Sequence, residues 1–185
     1  MEVKEILTAQ LKRIVQFLKK QKIDYALAGG LAFSALVEPR ATMDIDLIVM
    51  IEENQLNDFK DRLKHEFGSI ITHEEPMQFK LAKIWRAINL IEDLEMIFDF
   101  IFAESEFYKN AIKRAFEIEF FGSKIKVITL EDLILLKNFA NRKQDLADLD
   151  KIYQTYNDEI DDEYLKAWAK ELNIRLYQNN FSGDI

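Results

Sequence analysis

Two aspartates stand inside a run of residues that otherwise tolerates no charge. The stretch from Leu27 to Ile51, LAGGLAFSALVEPRATMDIDLIVMI, places Asp44 and Asp46 among Ile45, Leu47, Ile48, Val49, Met50 and Ile51. Apolar residues on both parities mark a strand buried on both faces, as in the centre of a covered sheet. Asp is depleted in strands, and residues two apart leave a strand on the same face, so both carboxylates project from one side. At a separation of about 5 Å and an effective dielectric of about 20 they repel by roughly 3 kcal/mol. A divalent cation is the economical counter-charge. A rise of about 3.3 Å per residue puts the pair on the scale of a two-metal site, whose ions sit roughly 3.5–4 Å apart.

Upstream, Val3, Leu7, Leu11, Ile14 and Leu18 recur at helical spacing, which predicts an opening amphipathic helix rather than a signal peptide. Tyr25 to Ala28 then forms a short strand, and Gly29-Gly30 leads into a helix over Leu31 to about Val37, stopped by Pro39. A strand, a diglycine and a helix start bring backbone N–H groups close to an anion, although many such turns bind nothing and no Walker-type lysine follows this one.

Downstream, Leu56, Phe59, Leu63 and Phe67 mark a third helix, with Asn54 as its N-cap. One or two strands are expected within Phe79 to Ile91, and a clear one over Glu95 to Phe102, where Asp99 shares a face with Ile97 and Ile101. Beside Asp44 and Asp46, Asp99 is the natural third carboxylate. A helix over Phe107 to Ala115, a hairpin turning at Gly122-Ser123, and a helix opened by Thr129 and Asp132 follow. Lys137 lies in that helix's apolar run, Asp145 and Asp148 share a face of the next helix, a last helix carries Tyr164, Leu165, Trp168 and Leu172, and the tail from Gln178 is expected to fray.

Composition excludes several functions. With no Cys there is no disulfide framework, thiolate chemistry or Cys-ligated zinc, and a cytoplasmic setting is expected. No segment reaches the length of a membrane span. A net charge of −8 argues against broad nucleic-acid binding, and His65 and His73 match no metal motif. The 185 residues are 49% hydrophobic, enough to bury one core.

Gly29-Gly30, followed by Arg40-x-Thr42-x-Asp44-x-Asp46 leading into an apolar strand, resembles the GG…RxTxDxD signature of the nucleotidyltransferase superfamily, the fold shared with polymerase β. The segment LEDLILLKNFANRKQDLADLDKI, Leu130 to Ile152, is similar to an element of its AbiEii-like branch, which includes toxins of toxin–antitoxin and phage-abortive systems. The resemblance covers Tyr25 to Ile152 as separate motifs. It implies an α+β fold: a small mixed sheet carrying the three aspartates, flanked by helices, with residues 1–129 as the core and 130–185 as a C-terminal helical part packed on it. It also implies that Asp44 and Asp46 hold two Mg²⁺ ions on the triphosphate of an NTP. Asp99 would complete the metal site and activate the acceptor hydroxyl. Gly29 and Gly30 would cradle phosphates, with Arg40 and Thr42 either touching phosphate or holding the loop. Lys137 would contact the triphosphate, beside Asp145 and Asp148. One departure is Leu31-Ala32-Phe33-Ser34 after the diglycine, where the family often has serine and small residues.

The expected activity is metal-dependent transfer of an NMP from an NTP to a hydroxyl on an RNA 3′ end, a protein or a small molecule, with an antitoxin as a further partner. Lys109, Lys113 and Arg114, or Lys124, Lys126, Arg142 and Lys143, are the cations that RNA would meet. The alternative is a binding module on the same fold without catalysis.

Overall fold

The central position of the Asp44 strand sets the architecture. The computed structural model describes residues 3–177, in which helices α1 (Val3–Lys20), α2 (Gly29–Leu36), α3 (Leu56–Phe67), α4 (Glu106–Arg114), α5 (Leu130–Ala140), α6 (Lys143–Tyr156) and α7 (Asp162–Glu171) surround one mixed sheet. Its strands are β1 (Tyr25–Leu27), β2 (Asp44–Val49), β3 (Ile70–Thr72), β4 (Met77–Gln78), β5 (Lys83–Ile91), β6 (Leu94–Phe102), β7 (Phe116–Phe120) and β8 (Ser123–Val127). They run in the order β3-β5-β6-β2-β1-β8-β7, with β4 also on β5. The β2–β6 and β1–β8 pairs are parallel and the others antiparallel. Ile45, Leu47, Ile48 and Val49 of β2 are fully buried, as their uninterrupted apolar run requires.

The sheet is larger than the small one anticipated, because the span between Ile51 and Asp99 supplies β3 and β4 as well as a nine-residue β5. Those first two strands are three and two residues long, too short to show a period of two. Asn54 does not cap α3. It lies inside a 3₁₀ turn, Glu53–Gln55, where Gln55 Oε1 accepts the Glu52 N–H at 3.0 Å, so α3 begins at Leu56, one residue later than an Asn54 cap would set it. The Ser105 and Thr129 caps hold α4 and α5, accepting from Tyr108 N and Asp132 N.

One face of β5 and β6 is sealed by α1 and α3 through aromatic packing. Phe59 sits 5.7 Å from Phe17, 5.7 Å from Trp85 and 5.2 Å from Phe100, centroid to centroid, and Phe67 lies 5.4 Å from Phe98. These tilted and edge-on pairs add to simple burial. The buried Asn89 amide is satisfied by Gln10 at 2.9 Å, as a polar group at that depth requires.

The C-terminal helices close on the other end of the core. Val127 pairs with Leu27, α5 packs on α2, α6 and α7, and Tyr156 Oη donates to Leu36 O at 2.8 Å. Asp132, fully buried, accepts from Tyr164 Oη at 2.6 Å, while the Arg114 guanidinium lies 3.6 Å over the Tyr164 ring and 3.0 Å from Glu131. Arg114 therefore serves packing between α4, α5 and α7. No described helix is long and apolar enough to cross a membrane, and the tail from Gln178 lies outside the described residues.

Because Phe59 bridges three other aromatic rings, Phe59→Ala should cost about 3–5 kcal/mol of stability. Urea unfolding of the two proteins measures this, and a loss under about 1 kcal/mol would mean the cluster is not a cohesive core.

Candidate active site

The register of the sheet brings the strand-borne charges into one row. Asp46 of β2 is opposite Asp99 of β6, and Asp99 is opposite Arg86 of β5. Arg86 closes on Asp99 with both prongs, Nε to Oδ1 at 2.8 Å and Nη2 to Oδ2 at 2.7 Å. Such a fork fixes the plane of the carboxylate. Asp44 lies one step along the same face, opposite Ile97. No hydrogen bond or ion pair engages its carboxylate among the described residues. Among those residues no three His, Cys, Asp or Glu side chains form a ready-made metal cage.

The diglycine turn is shaped around Asp46. Gly29 has φ +62°, and a Cβ there would stand 1.9 Å from Asp46 Oδ2. A Cβ on Gly30 would meet Arg40 Nη2 at 2.6 Å and Thr42 Oγ1 at 2.9 Å. Only glycine allows the start of α2 to approach so closely, and the Gly30 N–H works to lower the Asp46 carboxyl. Ser34, one helical turn on, lies 3.0 Å from Gly30 O and accepts the Arg40 N–H at 3.3 Å. It thereby holds the loop carrying Arg40 and Thr42 against α2.

Lys137 does not line the cleft. It is 4% exposed, with Nζ 2.5 Å from Asp148 Oδ2 and 3.6 Å from Asp145 Oδ1, and both of those acids are buried. Each acid also meets an arginine of the cleft rim: Asp148 lies 3.6 Å from Arg40 Nε, and Asp145 2.7 Å from Arg142 Nε. Burial works to raise the Asp145 carboxyl, but the Arg142 hydrogen bond and charge, with Lys137, hold it below its ordinary value. The lysine thus sits behind the two arginines rather than in the cleft.

The cleft itself encloses about 990 Å³, with Asp44, Asp46, Asp99, Arg86 and Thr42 on one wall and Arg40, Arg142 and Gln144 beside them. Leu7, Met43 and the stacked Phe120 and Phe121 supply apolar surface. Arg86 and Gln144 were not legible from the sequence. Arg86 sits in an unpatterned span, and only strand pairing relates it to Asp99. Arg142, grouped in sequence with Lys124, Lys126 and Lys143, instead acts on Asp46 and Asp44.

Burial raises the Asp46 carboxyl to about 6, with Asp99 and Asp44 adding to it and Arg142 and the Gly30 N–H opposing. A raised carboxyl favours the folded state when protonated, so that stability is present below the ordinary value and lost as pH rises through about 6. In chelator, Asp46→Asn should therefore gain on the wild type between about pH 4 and 6 and keep an advantage of about 1–3 kcal/mol above it. Thermal melts across that range test this, and a pH-independent difference would contradict it. Lys137→Met, which leaves Asp145 and Asp148 without their shared cation, should cost about 3–5 kcal/mol in urea unfolding. A loss typical of a surface site would place the lysine outside the structural network.

The AbiEii family model, described as nucleotidyl transferase AbiEii toxin of type IV toxin–antitoxin systems, matches residues 11–180. None of the curated proteins compared with the chain matches it. Among solved structures, an antigenic nucleotidyltransferase-like protein from Paracoccidioides brasiliensis is similar at a TM-score of 0.54 and 16% identity, over 96% of this chain and 94% of that one. The antibiotic-resistance factor ANT(2″)-Ia is similar at 0.63 and 13% identity, over 90% and 92%. The lincosamide antibiotic adenylyltransferase LnuA is similar at 0.51 and 15% identity, over 78% and 94%. At these identities the structures share a fold with this chain, and the family assignment rests on the matched sequence. The chain belongs to the AbiEii nucleotidyltransferase toxin family and is a nucleotidyltransferase.

Proposed function

We propose that this enzyme moves an NMP from an NTP to a hydroxyl acceptor in a Mg²⁺-dependent reaction centred on Asp44, Asp46 and Asp99. The observation that carries the reading is the alignment of Asp46 with Asp99 across the β2–β6 ladder, with Asp44 on the same face and the start of α2 directed at Asp46.

The residues suit Mg²⁺ on chemical grounds. Asp44 and Asp46 offer hard oxygen donors, Asp44 has no hydrogen bond or ion pair among the described residues, and Asp46 bears a carboxyl raised by burial and by the neighbouring Asp99 and Asp44 charges. Bound there, the ion would neutralise the triphosphate and polarise the phosphoryl group. The protein's own groups do the rest. Arg40, Thr42 and Arg142 face the cleft as donors for phosphate oxygens, with Gly30 lining it beside them and Gly29 letting the start of α2 close on Asp46, so that the diglycine would serve phosphate binding by positioning this turn. Lys137 acts at one remove, because Asp148 and Asp145 orient Arg40 and Arg142. Asp99, with its plane set by Arg86, stands where it would accept the proton of the acceptor hydroxyl. ATP is included among the substrates by this reading. On this reading the setting is cytoplasmic, which agrees with a chain without Cys, and an antitoxin is a further partner, which the family's type IV context supports.

Calorimetry with each NTP, with and without Mg²⁺, tests the proposal. Binding should require Mg²⁺, vanish in the Asp44→Ala, Asp46→Ala double variant, and weaken about tenfold in Arg142→Ala, the loss of one charge-assisted contact. Binding that is equal with and without Mg²⁺, or that survives the double variant, would sink the metal assignment.

A further inference from the structure

Among the described residues, the sheet face that carries the aspartates continues beyond them uncovered. Asp44 is opposite Ile97, Ile97 is opposite Ile88, and Ile88 is opposite Ile71, so one straight row crosses four strands from the candidate metal site to the sheet edge. Ile97 and Ile88 are half-buried and Ile71 is 55% exposed, whereas Trp85, Ala87 and Phe98 on the opposite face are fully buried. Leu90, on the same open face, is 41% exposed. Three steps of about 4.8 Å make the row roughly 14 Å long, the reach of about four or five extended residues. It ends at β3, whose sequence Ile70-Ile71-Thr72 has no charge and no Pro to protect a free edge. An edge of that kind invites pairing with another strand.

The chemistry of this face discriminates between acceptors. A polynucleotide would need Lys or Arg along its phosphates, and the row offers isoleucine. The adjacent cation, Arg86, is neutralised by Asp99, and Lys83 is paired to Glu53 and Glu104. The chain as a whole carries −8. On the proposed nucleotidyl-transfer reading, the acceptor must reach Asp99, and this face adjoins it outside the cleft that holds Arg40 and Arg142.

We infer that the acceptor is a polypeptide, presenting a Ser, Thr or Tyr hydroxyl at Asp99 while its flanking apolar residues lie over Ile97, Ile88 and Ile71 and its backbone meets the edge of β3. The inference rests on the activity proposed above. The hydroxyl oxygen attacks the α-phosphorus of the NTP, and the bond from that phosphorus to the bridging oxygen of the β-phosphate breaks. Pyrophosphate leaves, the hydroxyl proton passes to Asp99 and then to solvent, and the product is a nucleotidylated side chain joined through a phosphodiester.

The test uses the full chain with Mg²⁺ and α-³²P-labelled NTPs. One set of reactions receives a peptide library with a central Ser, Thr or Tyr between apolar residues, and another receives total RNA. Ile71→Lys, on an exposed edge, and Ile88→Lys are run beside the wild type, with thermal melts to confirm folding. Labelling of peptide and not RNA is expected. Either lysine should raise KM for the best-labelled peptide tenfold or more, and NTP affinity by calorimetry should change less than twofold. RNA labelled in place of peptide, peptide labelling indifferent to both lysines, or peptide bound but never labelled would each overturn the inference while leaving nucleotidyl transfer standing. A wild type that binds no NTP would instead remove the activity on which the inference rests.

Discussion

Crowding of negative charge on a buried strand is the constraint to which the rest of this molecule answers. Asp44 and Asp46 leave one face of β2, Asp99 stands opposite Asp46, and burial with mutual repulsion holds the Asp46 carboxyl at about 6. A fold can tolerate this only where opposing charge or dipoles converge. Three sources do so here: the start of α2, brought close by two glycines; Arg86, forked onto Asp99; and Arg142, beside Asp46 from the start of α6. These offsets are partial for Asp46, and Asp44 feels only the charges of Arg86 and Arg142 with no hydrogen bond or ion pair among the described residues, which is the electrostatic condition for capturing a cation and its phosphate ligand.

Behind the cleft lies a second, buried set of charges whose role is mechanical. Lys137 joins Asp145 and Asp148, and those two acids hold Arg142 and Arg40. Truncating any member would leave an uncompensated buried charge, so the set behaves as a unit. It links α5 and α6 to the loop before β2. In this way the helical part that packs on the sheet also orients donors on the cleft rim, and stability and recognition are coupled through the same side chains. Ser34 performs a similar service for the same loop from the α2 side, a position where the chain departs from the usual small-residue run.

The sheet treats its two faces unequally. Aromatic rings from α1 and α3 cover one side of β5 and β6, while among the described residues the isoleucine row on the other side remains open. Period-two alternation in β6 announced that its faces differ, since Met96, Phe98, Phe100 and Phe102 alternate with Ile97, Asp99 and Ile101. It could not announce which face would be covered, because both are apolar. That outcome depends on where α1 and α3 land.

By itself the sequence determined the local structure wherever a period or a cap was written into consecutive residues. Helices α1, α3 to α7, the β7–β8 hairpin and the strands bearing Asp44, Asp46 and Asp99 all follow from patterns a few residues wide. It also determined that the carboxylates share a face, because strand geometry alone dictates it. Tertiary structure decided everything that depends on register between distant segments. Arg86 meets Asp99 only through the β5–β6 ladder. The brief strands β3 and β4 exist only because β5 offers an edge to pair with. Lys137, which a linear motif places with the nucleotide, lies instead under Arg40 and Arg142, because α5 and α6 pack face to face and a buried cation must lie against the acids that neutralise it.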